Sequence, residues 1–375
     1  MLAKCLEEIG GAFFFATYGM FLVSIGVNEM EYMGVNIVFM FAKTILDPLT
    51  GNWGDRMGQK KIYLWGLLLW AIGLFVYGFA NAFWLCAIAE TISGVGAAFR
   101  SGALESWLQN LTDEETGKAA QSKAGTWKRL ATIPSALLGG IVGSIWGLHM
   151  PWIVAGVSSL VAMGAIWLLL RPFPDLFRKH KVSDADLDLW SIAKRAWSDT
   201  ATRKVFIMVA VMFASIMPFN MYWQRVFYAA SIKPEWMGSL WIGIALMTAL
   251  GAKISGKLPV SSTTLALIVA GIGLPMFWPH LLINLPVLLV LTFLLHEVGR
   301  GGFDTIMWAY YNRRVANETR NSLNSLQSAA GSTGAIFGLI IAACLTYVIT
   351  LPQIWAVSAI ALIGLSVWVI RWNHD

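Results

Sequence analysis

An all-α integral membrane fold, with twelve spanning helices in two pseudo-symmetric six-helix bundles, is predicted by three observations on this chain. It is 57% hydrophobic and only 13% charged, where soluble domains carry about 25% charged residues, and its mean hydropathy is +0.64. Apolar runs recur from end to end at the length of about 20 residues that a helix needs to cross hydrocarbon. The short connections between the runs alternate between basic and nearly uncharged, the pattern that orients a chain in a membrane.

Taken in order, the spans read 9–27, 33–53, 62–80, 83–109, 130–148, 152–171, 204–227, 237–256, 263–281, 284–310, 326–348 and 352–371. Each must be a helix, because lipid offers the backbone no hydrogen-bond partner. The period-two alternation of a membrane barrel does not occur in these runs. One set of connections carries Arg56, Lys60 and Lys61, then Lys118, Lys123, Lys128 and Arg129, then the block 171–204, then Lys253 and Lys257, then Arg313, Arg314 and Arg320. The opposite set holds little beyond Arg225 and Lys233. Excess Lys and Arg marks the cytoplasmic side, so both termini are expected there, as an even number of spans demands.

The long polar interruption at 172–203 has six spans before it and six after it. It predicts an N-terminal bundle over 1–171, a cytoplasmic linker over 172–203 and a C-terminal bundle over 204–375. A weak internal repeat supports the division. The fourth span runs through Glu105, Trp107 and Asn110 to Glu115-Thr116, and the tenth through Asp304, Trp308 and Asn312 to Glu318-Thr319. Ser135, Gly139, Gly143 and Gly147 recur every four residues in the fifth span, as do Ala330, Gly334, Gly338 and Ala342 in the eleventh. Small residues at that spacing let helix backbones approach closely.

Several classes are disfavoured. Cys5, Cys86 and Cys344 have neither metal spacing nor a disulfide framework, and the five histidines are scattered, so no metal or cofactor is expected. No nucleophile elbow or His-Glu-x-x-His pattern suggests an enzyme, and no nucleotide-binding loop suggests direct ATP drive. The net charge of +6 sits in short connections, which argues for membrane orientation rather than a nucleic-acid partner. The charged start, with Lys4, Glu7 and Glu8, runs straight into the first span without a cleavage site.

The connection after the second span reads Gly51-Asn52-Trp53-Gly54-Asp55-Arg56-Met57-Gly58-Gln59-Lys60-Lys61. It resembles the major facilitator superfamily signature Gly-x-x-x-Asp-Arg-x-Gly-x-Lys/Arg-Lys/Arg, at the family's own position. Asp47-Pro48-Leu49-Thr50 upstream resembles the lead-in of drug-exporter-like members, with the proline shifted by one. The resemblance implies alternating access of two bundles around a central site. It implies a gating role for Asp47, Gly51, Asp55, Arg56, Gly58, Lys60 and Lys61. The equivalent connection after the eighth span, 251–257, keeps glycines and lysines but has no acid.

Ionisable side chains at membrane depth cost several kcal/mol and mark function or tight pairing. The tenth span carries His296, Glu297, Arg300 and Asp304 at spacings that place them along one stripe. Arg300 between two acids suits an anionic or zwitterionic group, and the acids and histidine suit proton exchange; a structural ion-pair network is the alternative. Glu90 in the fourth span is a second candidate, with Arg100 further along, and Lys43 and Asp47 lie one turn apart in the second. Asn220 and Gln224 share a face of the seventh span, a region that lines the cavity in the resembled family.

The expectation is a monomeric secondary transporter in a bacterial inner membrane, moving a small organic solute outward against protons. Proton-coupled uptake of a nutrient or metabolite, and a non-transporting membrane sensor, are the alternatives. Labelling of single cysteines from either side of intact cells checks the topology. Positions 60, 181 and 314 are expected to label from inside only, and positions 29, 149 and 280 from outside.

Overall fold

The computed structural model describes residues 2–100, 103, 114–173, 194, 197–312 and 320–374. These residues form helices and connecting turns, with no strand among them. The helices are α1 (Leu2–Gly11), α2 (Tyr18–Ser24), α3 (Glu29–Met57), α4 (Gln59–Gly78), α5 (Phe83–Arg100), α6 (Glu114–Trp146) and α7 (Met150–Leu170). Then come α8 (Thr200–Ala229), α9 (Pro234–Ser255), α10 (Ser262–Phe277), α11 (Pro279–Leu282), α12 (Pro286–Asn312), α13 (Arg320–Leu345) and α14 (Leu351–Ile370). Eight helices among the described residues are long and apolar enough to cross a membrane; the apolar part of α6, Leu130–Trp146, is shorter. Twelve spans are not reached by that measure.

The chain parts into two compact units, Met1–Lys181 with Lys233–Ile242, and Val182–Ile232 with Gly243–Asp375. In the first, α5 packs on α3 and α4, and α7 on α1 and α4. The start of α9 belongs to this unit: Gly238 sits on the backbone of Leu137, and Trp241 meets Phe15. In the second, α8 packs on α13 and α14, and α10 on α12 and α14.

The small-residue stripes receive neighbouring backbones. A Cβ on Gly139 of α6 would lie 1.7 Å from the Phe13 carbonyl oxygen. In the second unit, a Cβ on Gly334 or Gly338 of α13 would lie 2.1 Å from the carbonyls of Ala210 or Ala214 on α8. The Ala214 carbonyl lacks its helical partner because Pro218, four residues on, has no N–H. Close approach of Gly338 covers that orphaned acceptor, and Cα–H contacts of this kind recur between packed helices.

Two elements differ from the sequence reading. The expected first span, 9–27, is broken: α1 ends at Gly11, residues 12–17 form tight turns, and α2 begins at Tyr18. Gly10 and Gly11 weaken the helix there, and Phe15 and Thr17 bond back three residues, to the carbonyls of Ala12 and Phe14. The signature connection begins inside a helix, which runs four residues beyond the expected end of the span at 53. Helix α3 continues through it to Met57, and the turn is confined to Gly58, whose φ of 101° is accessible to glycine at no steric cost.

At the start of α8, Asp199 caps the helix by accepting the Thr202 N–H at 2.8 Å. The hydroxyl and N–H of Thr202 hold the Asp199 carboxyl below its usual range.

Replacing Gly139 by Leu is expected to cost at least about 3 kcal/mol, because the new side chain meets backbone rather than a movable side chain. Gly164→Leu, where nothing lies within 4 Å of a new Cβ, is the control. Thermal unfolding in detergent reads both.

Candidate functional site

The second unit holds a buried polar cluster where α9 crosses α12. Two glycines bring the helices together: a Cβ on Gly251 would lie 1.9 Å from the Val298 carbonyl oxygen, and one on Gly301 1.9 Å from that of Thr248. That approach sets Thr248 against Glu297, whose residue exposure is 1%. Glu297 Oε2 accepts from Arg300 Nε at 2.6 Å and lies 3.1 Å from Thr248 Oγ1. The Thr248 hydroxyl is also 2.7 Å from the Ile244 carbonyl, so its single hydrogen is shared between two acceptors. Arg300 is one-third exposed while its partner is enclosed. The guanidinium therefore neutralises the acid from the open side and keeps donors facing outward.

His296 is fully buried, edge-on to Phe219 at 4.4 Å and tilted against Phe293 at 5.0 Å. Its Nδ1 pairs with the Phe293 carbonyl, an arrangement that needs a hydrogen on Nδ1. Nε2 is then left without a hydrogen-bond partner, 3.6 Å from Glu297 Oε1. A neutral ring in this tautomer turns a lone pair towards a carboxylate oxygen. One added proton, on either atom, converts two opposed acceptors into a bonded pair.

The first unit holds two further acids in contrasting surroundings. Glu90 on α5 is 8% exposed, and its Oε1 accepts from Tyr77 at 2.9 Å and from Tyr18 at 3.2 Å. Both donors are neutral, and no described cation pairs with it. Tyr77 stacks on Trp152 at 3.9 Å, and Trp152 on Phe14 at 4.1 Å, which fixes the tyrosines from behind. Glu7 on α1 is also buried, but it has a cation: Arg100 Nη1 lies 2.8 Å from Oε1, and Tyr63 donates to Oε2 at 2.6 Å. Arg100 lies over the Trp70 ring at 4.3 Å, a cation–π contact favoured where water is scarce.

The remaining expected residues are spread out. Asp304 is exposed, and Arg300 bonds the buried Glu297. Gln224 is buried and Asn220 half-buried on α8. Lys60 donates to the carbonyls of Leu170 and Phe173, at 3.0 and 2.9 Å, and so caps the end of α7. Lys61 is exposed. The side chains of Asp47, Gly51, Asp55 and Arg56 lie outside the described residues, as do those of Glu105 and Asn110. No group of three or more metal-ligating side chains occurs among the described residues.

Sequence reasoning passed over Glu7, Tyr18, Tyr63, Tyr77 and Thr248. Glu7 carries a signal, an acid at the edge of an apolar run. Tyrosines and a threonine within spans carry none, because they are ordinary there.

Residues 1–259 match the profile of the Major Facilitator Superfamily. The chain belongs to that family. It is 23% identical over 145 residues to multidrug resistance protein 2 of Bacillus subtilis (strain 168), covering 39% of this chain and 36% of that one. It is 28% identical over 130 residues to the class H tetracycline resistance protein of Pasteurella multocida, covering 34% and 32%. The match thus spans about a third of these relatives' length. In fold it is similar to the nucleoside transporter NupG, with a TM-score of 0.79 at 14% identity over 100% of this chain and 98% of that one. It is similar also to a bacterial homologue of the iron transporter ferroportin in its inward-facing state, with a TM-score of 0.79 at 14% identity over 100% and 97%.

Arg300→Met alone strands a buried carboxylate and is expected to cost roughly 3 kcal/mol, the low end for a broken buried pair because Arg300 is partly exposed. Adding Glu297→Leu should restore most of the stability without restoring transport. Thermal unfolding and transport, measured together, separate a functional pair from a structural one.

Proposed function

We propose that the chain is a proton-coupled exporter of a small organic solute, working by alternating access as a monomer in a bacterial plasma membrane. Its two six-helix bundles are joined by the linker at 172–203, and both termini lie in the cytoplasm. The observation that carries this reading is the enclosed Glu297–His296 pair, which lacks one proton to complete its bonding, beside a guanidinium that is one-third exposed. Such a site exchanges a proton and offers Arg300 to an anionic or zwitterionic group of the solute. Asn220 and Gln224 add neutral polar contacts on α8. The outward direction is supported by similarity to relatives named for multidrug and tetracycline resistance. The acids and bases at membrane depth support the coupling, since burial is costly for groups that do nothing. Asp47, Gly51, Asp55, Arg56, Gly58, Lys60 and Lys61 belong to the gate at the inner ends of the helices.

Purified protein in liposomes, given a panel of labelled small solutes with and without an imposed pH gradient, tests the reading. Gradient-driven accumulation of solute in the acidic compartment, opposite to the downhill flow of protons and lost in Glu297→Gln, is the expected result. Solute movement that ignores the gradient would remove the coupling.

A further inference from the structure

The break in the first span divides it into two parts that are fastened to the same helix by different chemistry. Helix α1 reaches α5 through Glu7 and Arg100, with Tyr63 of α4 on the second carboxylate oxygen. Helix α2 reaches α5 through the hydroxyl of Tyr18 on Glu90. Glu90 and Arg100 are ten residues apart on α5, about 15 Å along the helix axis. Between the two fastenings the chain is pinned at the break itself. Ser135 donates to the Ile9 carbonyl at 3.0 Å, Gly139 receives Phe13, and Gly10 sits against the backbone of Ser158 and Ser159. The chain is thus held at a fulcrum, with one arm on each side.

The two fastenings respond differently to a proton. Both tyrosines bond Oε1 of Glu90, and Oε2 has no hydrogen-bond partner among the described residues. Oε2 is where a proton adds without breaking a bond. Its addition turns Oε1 from a charged acceptor into a neutral one, and hydrogen bonds to an ionised acceptor are roughly twice as strong as neutral ones. Of the two bonds, the Tyr18 one is the longer, 3.2 Å against 2.9 Å, and it is the one that holds a short helix rather than a full span. The Glu7–Arg100 pair has its own cation and is remote from the change.

No other described charge faces Glu90. Helix α2 presents Tyr18; α4 presents Tyr77; α3 presents Tyr32, whose ring lies 5.6 Å from that of Tyr18. On α5 itself Cys86 lies one turn away, and α7 contributes the uncharged Trp152. Lys43 of α3 has its backbone beside Gly94, a turn further along α5.

We infer that the first span is a jointed arm: a proton taken up at Oε2 of Glu90 releases α2 from α5 through Tyr18, while α1 stays locked to α5 by Glu7 and Arg100. Discontinuous helices place sites and moving parts at the membrane midplane in other transporters. Here the joint makes the carboxyl's charge state a mechanical signal on one half of a span. Tyr18 is a positioning residue in this scheme and Tyr77 the static anchor. The inference rests on the proton-coupled reading above, but it is separable from it.

The test uses the full chain in liposomes, with Cys5, Cys86 and Cys344 replaced and spin labels at two pairs of positions. The pair 24 and 91 reports α2 against α5; the pair 2 and 91 reports α1 against α5. Acidification should lengthen the first distance by several ångström and leave the second unchanged. Glu90→Gln should hold the first distance long at every pH, and Tyr18→Phe should do the same; Tyr77→Phe should keep the pH response. If Tyr18→Phe does not fold, the pH response of the unsubstituted chain and its loss in Glu90→Gln carry the decision. Equal lengthening of both pairs would show a rigid span and overturn the joint, as would a first distance that ignores pH. Gradient-driven transport measured on the same liposomes keeps the two ideas apart. A fixed first distance in a chain driven by the gradient removes the joint alone. A pH-dependent first distance in a chain the gradient does not drive keeps the joint and removes the coupling.

Discussion

A carboxylate withdrawn from water loses several kcal/mol of solvation that its new neighbours must replace, and the surroundings of Glu7, Glu90 and Glu297 answer that loss in three ways. Glu7 receives a guanidinium and a tyrosine hydroxyl, so its charge is fully matched. Glu297 receives a guanidinium on one oxygen and faces a histidine lone pair on the other, so it is matched only in part. Glu90 receives two neutral hydroxyls on one oxygen and, among the described residues, no hydrogen bond on the other. The series runs from a fixed charge to one that a proton can remove at little cost in bonding. That gradation is the basis for proposing a structural fastening at the first acid and proton exchange at the other two.

The helices that carry these acids are held by backbone contact rather than by large side chains. Gly251 and Gly301 bring α9 and α12 close enough for Thr248 to reach Glu297. Gly66 and Gly96 do the same for α4 and α5: a Cβ on Gly66 would meet the Arg100 backbone at 2.9 Å, and one on Gly96 that of Trp70 at 2.6 Å. Lipid supplies little apolar driving force between helices, so close packing and the few polar bonds it permits hold them together. The polar clusters and the glycine crossings are therefore one construction. Widening a crossing by a methyl group would separate an acid from its donor.

Much of the fold was legible in the sequence because hydropathy and loop charge act over long stretches. The segments read as spans contain helices, and the small-residue stripes of the fifth and eleventh spans meet neighbouring backbones. The joint at 12–17 was not legible, since its residues are as apolar as any span; besides Gly10 and Gly11, what accompanies the break is a backbone contact with Gly139, more than a hundred residues away. The stripe of His296, Glu297 and Arg300 was visible from spacing alone. Its internal pairing was not: spacing allowed Arg300 either acid, and the structure sets its Nε 2.6 Å from Glu297. Tyr18 and Tyr77 could not be singled out, because a tyrosine becomes a carboxylate's donor only when tertiary packing aims its hydroxyl.

The central claim is that the three buried acids differ in their capacity to take up a proton. Infrared difference spectroscopy between alkaline and acidic pH, on protein in lipid, reads the carbonyl stretch of each protonated carboxyl directly. The account predicts a band that disappears in Glu90→Gln and persists in Glu7→Gln. A band that survives Glu90→Gln and is lost in Glu7→Gln would contradict it.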